Sequence, residues 1–213
     1  MKKEIKLNYE LLKIDDNTYG GDQEWYKKYI QRLSGCAPTT ASTIIMYEKR
    51  MKDNSIKYTK KEFLELMEDM WNYITPGKFG VNKLDYYSQG FVKYINDNNI
   101  SLNEKVELLI SKNKKNRPSN EEVYNYIFCA LENNHPVAFL NLNNGKEKLL
   151  DSWHWVCIVG IKYEKDTDTL NSIITDGGIL KEINLGLWLL TSNKEGGFIY
   201  FKWLGVYYER KIR

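Results

Sequence analysis

The chain has 213 residues, 31 Lys and Arg against 28 Asp and Glu for a formal net charge of +3, with 42% apolar and 14% aromatic residues. That length can bury a real core without disulfide staples, the aromatic content excludes a disordered tail, and the even charge balance leaves no electrostatic footprint for nucleic acid. Only 3 Cys and 2 His are present, with no Cys-x-x-Cys pair, which excludes a Cys/His zinc framework.

Residues 1–8 include Lys2 and Lys3 but no apolar run of signal-peptide length, so no secretory signal is read. The longest apolar stretches, near 155–160 and 185–190, fall far short of the ~20 residues of a membrane span. An odd cysteine count suits reduced thiols. The expectation is a cytoplasmic protein that binds neither membrane nor nucleic acid, with residues 1–18 as an N-terminal extension and 19–213 as one domain.

The first half reads helical. Residues 39–50 carry Ala41, Ile44, Ile45 and Met46 at helical spacing, and 60–71 carry Phe63, Leu66, Met67 and Met70. The pattern recurs over 83–96 with Leu84, Tyr87, Phe91, Val92 and Ile95. Residues 111–118, polar, basic and closed by Pro118, read as an exposed connection between two halves of the domain. Ser119 with Glu122 then makes a capping box before the stripe Val123, Ile127, Ala130 and Leu131. Beyond it the period changes. Residues 136–142, 153–163, 171–175 and 197–203 are short aromatic or β-branched runs between polar turns, and Asp166, Thr167 and Asp168 mark a hairpin tip. Helices followed by antiparallel strands give an α+β class without a nucleotide-binding alternation.

Cys36 lies in Ser34-Gly35-Cys36-Ala37-Pro38, where loop turns into helix. Pro38 suits a first helical turn, and the free N–H groups there favour a thiolate, the nucleophile that acyl transfer requires. The competing reading is a buried thiol serving as a small hydrophobe. His154, between Trp153 and Trp155 at the start of an apolar run, is either a packed core imidazole or a base at the edge of a cleft. His135, in a polar turn before Pro136, reads as a solvated loop residue. Asp176 ends a strand before Gly177 and Gly178 and is either a turn-former or the group that orients His154, with Asp151 a weaker rival. The strand counts about the hairpin tip are unequal, and a bulge or longer loop has to absorb the difference. An oxyanion donor could come from the Cys36 N–H with the amide of Gln23 or Gln31, and Gln23 is preferred. Cys129 and Cys157 read as structural.

Together these residues resemble the papain-like cysteine peptidases, in particular the bacterial branch of double-glycine (bacteriocin-leader) peptidases. The resemblance is carried by Gln23, by Gly35-Cys36-Ala37-Pro38-Thr39, by His154-Trp155-Val156 and by Asp176-Gly177, in that chain order, with Ala37 where a glycine is usual. Residues 180–190 and 196–203 resemble that branch's strand, short helix and final strand. The resemblance implies an N-terminal helical half, with the nucleophile at a helix start, packed on a C-terminal antiparallel sheet. It implies a thiol-dependent hydrolase, peptidase or amidohydrolase, acting on a peptide or amide through a thioester without any cofactor or metal. Cys36 would be the nucleophile, His154 the base, Asp176 its orienter and Gln23 the oxyanion donor. The same machinery would also suit a thiol acyltransferase. A binding module that keeps the fold without turnover is the alternative of a different class. Specificity is expected from the loops 75–80 and 141–151.

Overall fold

The computed structural model describes residues 2–204. Strand β1 (Lys2–Lys6) is followed by the helices α1 (Tyr29–Ser34), α2 (Cys36–Lys52), α3 (Lys60–Tyr73) and α4 (Leu84–Asp97). Next come β2 (Leu102–Ile110), α5 (Asn120–Glu132), β3 (Val137–Asn141), β4 (His154–Glu164), β5 (Thr169–Asp176), β6 (Ile179–Ile183), α6 (Leu185–Thr191) and β7 (Gly196–Trp203). The architecture is α+β, with the helical half first and an antiparallel sheet behind it.

Local chemistry accounts for the helix starts. Thr59 with Glu62 and Ser119 with Glu122 close reciprocal capping boxes at α3 and α5, each satisfying two of the otherwise unpaired first-turn N–H groups. Gly35 is the joint between α1 and α2, because a Cβ there would lie 2.4 Å from the Gln31 carbonyl and 2.5 Å from the Tyr26 ring. Helix α2 is buried almost all round, and Ser42 and Thr43 turn their hydroxyls onto the carbonyls of Pro38 and Thr39 four residues back.

The sheet runs β2-β7-β3-β4-β5-β6. Both faces are covered, which explains why β3, β4 and β7 are apolar along most of their length. Along β7, Phe201 and Trp203 pack on Phe91 of α4, while Phe198 and Tyr200 pack on Tyr126 of α5. Residues 2–18, read from the sequence as an extension, are woven into this layer. Strand β1 pairs with β4 from Lys6 opposite Gly160 to Lys2 opposite Glu164, continuing the edge that β3 leaves at Ile158, and Leu7 and Leu12 are core residues. Strand β2, which sequence periodicity did not flag, forms the far edge against β7.

Residues 112–116 are exposed, as expected of the connection, and Arg117 ties its end down by donating to the carbonyls of Ser111 and Leu189 and to the Ser192 hydroxyl. One further expectation is corrected. His135 is not solvated. It is buried with Nδ1 3.3 Å from Oε1 of Glu48, itself buried on α2, and its ring lies over Tyr200. Among the described residues no helix is long and apolar enough to cross a membrane.

Candidate active site

Helix α2 begins at Cys36, so the thiol stands in the first turn, where the backbone N–H groups have no intrahelical partners. Opposite it, three strands each contribute one side chain. His154 opens β4, Asp176 closes β5, and Lys181 is the third residue of β6. His154 Nε2 donates to Asp176 Oδ1 at 2.7 Å, and Lys181 Nζ donates to the other oxygen, Oδ2, at 2.6 Å. Cys36 shares the cleft with the same imidazole and bears on its charge. With Nε2 engaged by Asp176, Nδ1 is the ring nitrogen left to face the sulfur.

Sheet register produces this row. Between Ile158 and Gly160 a bulge at Val159 shifts the β4–β5 pairing, so that Cys157 stands opposite Thr175. Continued by one residue, the register sets Asp176 beside Val156, on the same face as His154 two residues away. Without the bulge Asp176 would stand beside Cys157 and point through the sheet to the other side. The β5–β6 turn is Gly177-Gly178 with φ of 58° and 75°, the doubly left-handed pair that a tight two-residue hairpin demands. It pairs Lys181 with Ile174, again on the face of Asp176.

The electrostatics follow from these contacts. Burial alone would lower the His154 pKa, but the hydrogen bond to Asp176 and the negative charge of Cys36 and Asp176 beside the ring push it up to about 10. Burial would likewise raise Asp176, yet His154 and Lys181 hold it down to about 2. Across the neutral range the geometry therefore favours an imidazolium between a carboxylate and the sulfur.

Gln23 enters from the other wall. It begins a short 3₁₀ turn, Gln23–Trp25, capped by the Asp22 carboxylate on the Glu24 N–H at 2.9 Å. One hydrogen of its Nε2 goes to the Arg32 carbonyl at 2.8 Å, which holds the amide in place and leaves the second hydrogen free. Gly20 has φ of 72°, and a Cβ there would meet Thr43 at 2.8 Å, so the chain presses on α2 as it approaches Gln23. Gln31 points elsewhere. Its Nε2 donates to Glu68 of α3 at 2.6 Å, and it is buried.

The cleft that unites Gln23, Cys36, His154, Asp176 and Lys181 encloses about 210 Å³. Asp151 also lines it, but the carboxylate on the imidazole is that of Asp176. None of residues 75–80 does; that loop borders a separate depression with Tyr73 and Tyr86. A larger groove of about 700 Å³, between the start of α5 and α6, contains Arg117, Glu122 and Asp168 but neither Cys nor His. Of the other thiols Cys129 is exposed and Cys157 is buried. No group of three or more His, Cys, Asp or Glu among the described residues could hold a metal ion. Lys181 had no signal in the sequence, because its role depends on the turn that folds β6 back beside Asp176.

No protein-family model and no curated protein matches the chain. Among solved structures it is similar to UfSP from C. elegans, a protein of the papain-like fold, with a TM-score of 0.54 and 9% identity. The fold is papain-like. The match covers 94% of this chain and 34% of UfSP, so the chain spans about a third of that protein's length.

Proposed function

We propose that the chain is a thiol-dependent hydrolase, a cysteine peptidase or amidohydrolase, that cleaves a peptide or amide bond through Cys36, His154, Asp176 and Gln23. The observation that carries this reading is the His154 imidazole held by Asp176 at 2.7 Å with the Cys36 thiol as its other neighbour. The Cys36 sulfur attacks the carbonyl carbon, forming the C–S bond. The oxyanion that develops is met by the Cys36 backbone N–H and by the free hydrogen of Gln23 Nε2. His154 Nδ1–H gives its proton to the leaving nitrogen as the C–N bond breaks, releasing the amine and leaving a thioester. Water then yields a proton to Nδ1 and attacks the thioester carbon, and the C–S bond breaks to return the thiolate and a carboxylic acid. Asp176 keeps Nδ1 turned toward the sulfur throughout.

The motifs around Cys36, His154 and Asp176 further support kinship with the double-glycine leader peptidases, a reading that rests on those short segments.

The test is thiol chemistry mapped by residue. Iodoacetamide is expected to alkylate Cys36 well below pH 8 at least tenfold faster than glutathione, and His154→Ala to slow that reaction by a similar factor. Alkylation of Cys36 no faster than the free thiol would sink the enzyme reading and leave a binding module on the same fold.

A further inference from the structure

Asp151 lines the Cys36 cleft, yet no step of the chemistry above uses it. We propose that Asp151 selects the leaving side of the substrate, favouring a peptide whose first residue after the scissile bond is arginine or lysine. The proposal rests on the hydrolase reading and adds a substrate class to it.

The fold fixes where Asp151 stands. Asn141, the last residue of β3, pairs with His154, the first of β4. Its side-chain amide donates to the Asp151 carbonyl at 2.7 Å, and its oxygen accepts the Trp188 indole N–H at 2.8 Å. Asn141 and Trp188 are buried, as is Leu150, the residue before Asp151. A buried amide thus ties the Asp151 backbone to the strand end that carries His154, while Asp151 itself stays exposed. In the mechanism above His154 Nδ1 protonates the leaving nitrogen, so the group beyond that nitrogen departs on the His154 side of the cleft. Asp151 is anchored on that side.

The other carboxylates of the cleft are already committed. Asp176 is bound at both oxygens, by His154 and by Lys181. Asp22 accepts the Glu24 N–H at 2.9 Å, and Glu24 faces Arg32 at 4.0 Å. The Asp151 carboxylate takes no hydrogen bond and no ion pair among the described residues. Lys194 reaches the same loop but lies over the Trp153 ring, 4.0 Å from its centroid. An anchored, unpaired carboxylate at the cleft attracts a cationic side chain and repels an acidic one, which makes it a specificity device.

The experiment runs the departure of the leaving group in reverse, on the whole chain. 4-Nitrophenyl acetate acetylates Cys36 and releases 4-nitrophenolate, and an amine then attacks the thioester carbon. The C–N bond forms, the amine's proton passes to His154, and the C–S bond breaks to return the thiolate. Argininamide and citrullinamide compete as the amine in one sample, since they share a shape and differ in side-chain charge. The reading is the ratio of their N-acetyl products, with the yield of Cys36→Ala subtracted, divided by the ratio that S-phenyl thioacetate gives without protein. Wild type is expected to give about five, the size of one exposed ion pair, falling toward one in about 1 M NaCl. Asp151→Asn is expected to give about one, and Asp151→Glu to retain most of the preference. Because both amines share one sample, the ratio does not depend on how much of a variant is folded. A wild-type ratio of one overturns the proposal, and so does a preference that survives in Asp151→Asn. An Asp151→Asn chain that no longer acetylates at Cys36 also overturns it, by assigning the carboxylate to the fold or the chemistry. Failure of the hydrolase reading shows earlier, as a wild-type chain that releases 4-nitrophenolate no faster than Cys36→Ala, and takes this proposal with it.

Discussion

Asp176 is shared between two cations, its Oδ1 taken by His154 at 2.7 Å and its Oδ2 by Lys181 at 2.6 Å. A carboxylate held at both oxygens cannot rotate away from the imidazole, so Lys181 acts as a positioning residue for His154. Lys181→Met is expected to lower kcat about tenfold with little change in KM, and Lys181→Arg to restore part of it. The linkage has a definite sign. Asp176 lies near 2 in the folded chain, below its ordinary value, so its stabilisation is present above the unfolded value of about 3.9 and is lost as pH falls through the folded one. In Lys181→Met the folded value rises toward the unfolded one, so that loss should be smaller and complete at higher pH, which acid unfolding followed by circular dichroism would register. Identical acid limbs in the two proteins would remove Lys181 from the site.

His154 carries the opposite sign. Its pKa is raised to about 10, so its contribution is complete below the unfolded value of about 6.5 and is lost as pH rises through the folded one. The stability difference between wild type and His154→Gln should therefore be largest near pH 6 and shrink toward pH 10. The shifts of His154 and Asp176 are one interaction seen from both ends and are not added. A difference on the order of 2 kcal/mol at pH 6 is expected from paired denaturant titrations.

Gln23 is tied to the Arg32 carbonyl with one amide hydrogen to spare. Gln23→Ala is expected to cut kcat by about 10²-fold while KM moves far less, the signature of an interaction made in the transition state. Gln31→Ala should instead lower stability, since Gln31 anchors α1 to Glu68. An activity loss concentrated in the Gln31 variant would reverse the two assignments.

Far from the cleft, Glu48 and His135 form a second buried acid–imidazole pair, joining α2 to the start of β3. Burial raises the Glu48 carboxyl above its usual range, with His135 opposing the shift. A carboxyl raised in the fold withdraws stability as pH climbs above its unfolded value of about 4.3. Glu48→Gln keeps the shape and removes the charge, so it should flatten that decline. Glu48→Ala leaves His135 buried without a partner and should cost about 3 kcal/mol by urea unfolding.

Much of this was legible in the sequence, and the boundary is physical. Capping boxes at Thr59 and Ser119 and stripes such as Phe63, Leu66, Met67 and Met70 are local signals, so α3 and α5 start where the chain alone says they should. The order Gln23, Cys36, His154, Asp176 was readable because each residue sits at an element boundary with its own turn chemistry. What stayed hidden depends on pairing at a distance. Strand β1 has Ile5 amid lysines and Glu4, and it is a strand because β4 offers an edge more than 150 residues later. His135 looks solvated until α2 brings Glu48 across 87 residues. The unequal strand counts called for a bulge or a longer loop, but nothing in the apolar run marks Val159 as its place.

The bulge at Val159 also makes the β4–β5 hairpin asymmetric toward insertions and deletions. Residues added at the tip, 165–168, would lengthen an exposed turn and leave the three-strand row intact. Removing one residue between the bulge and the cleft would change the parity of everything up to His154. The domain could then keep its hydrogen-bonded ladder and most of its core while the imidazole and its carboxylate faced opposite sides of the sheet. Length variation in this hairpin therefore falls into two classes, one silent and one that abolishes chemistry without unfolding the chain, divided at a single residue.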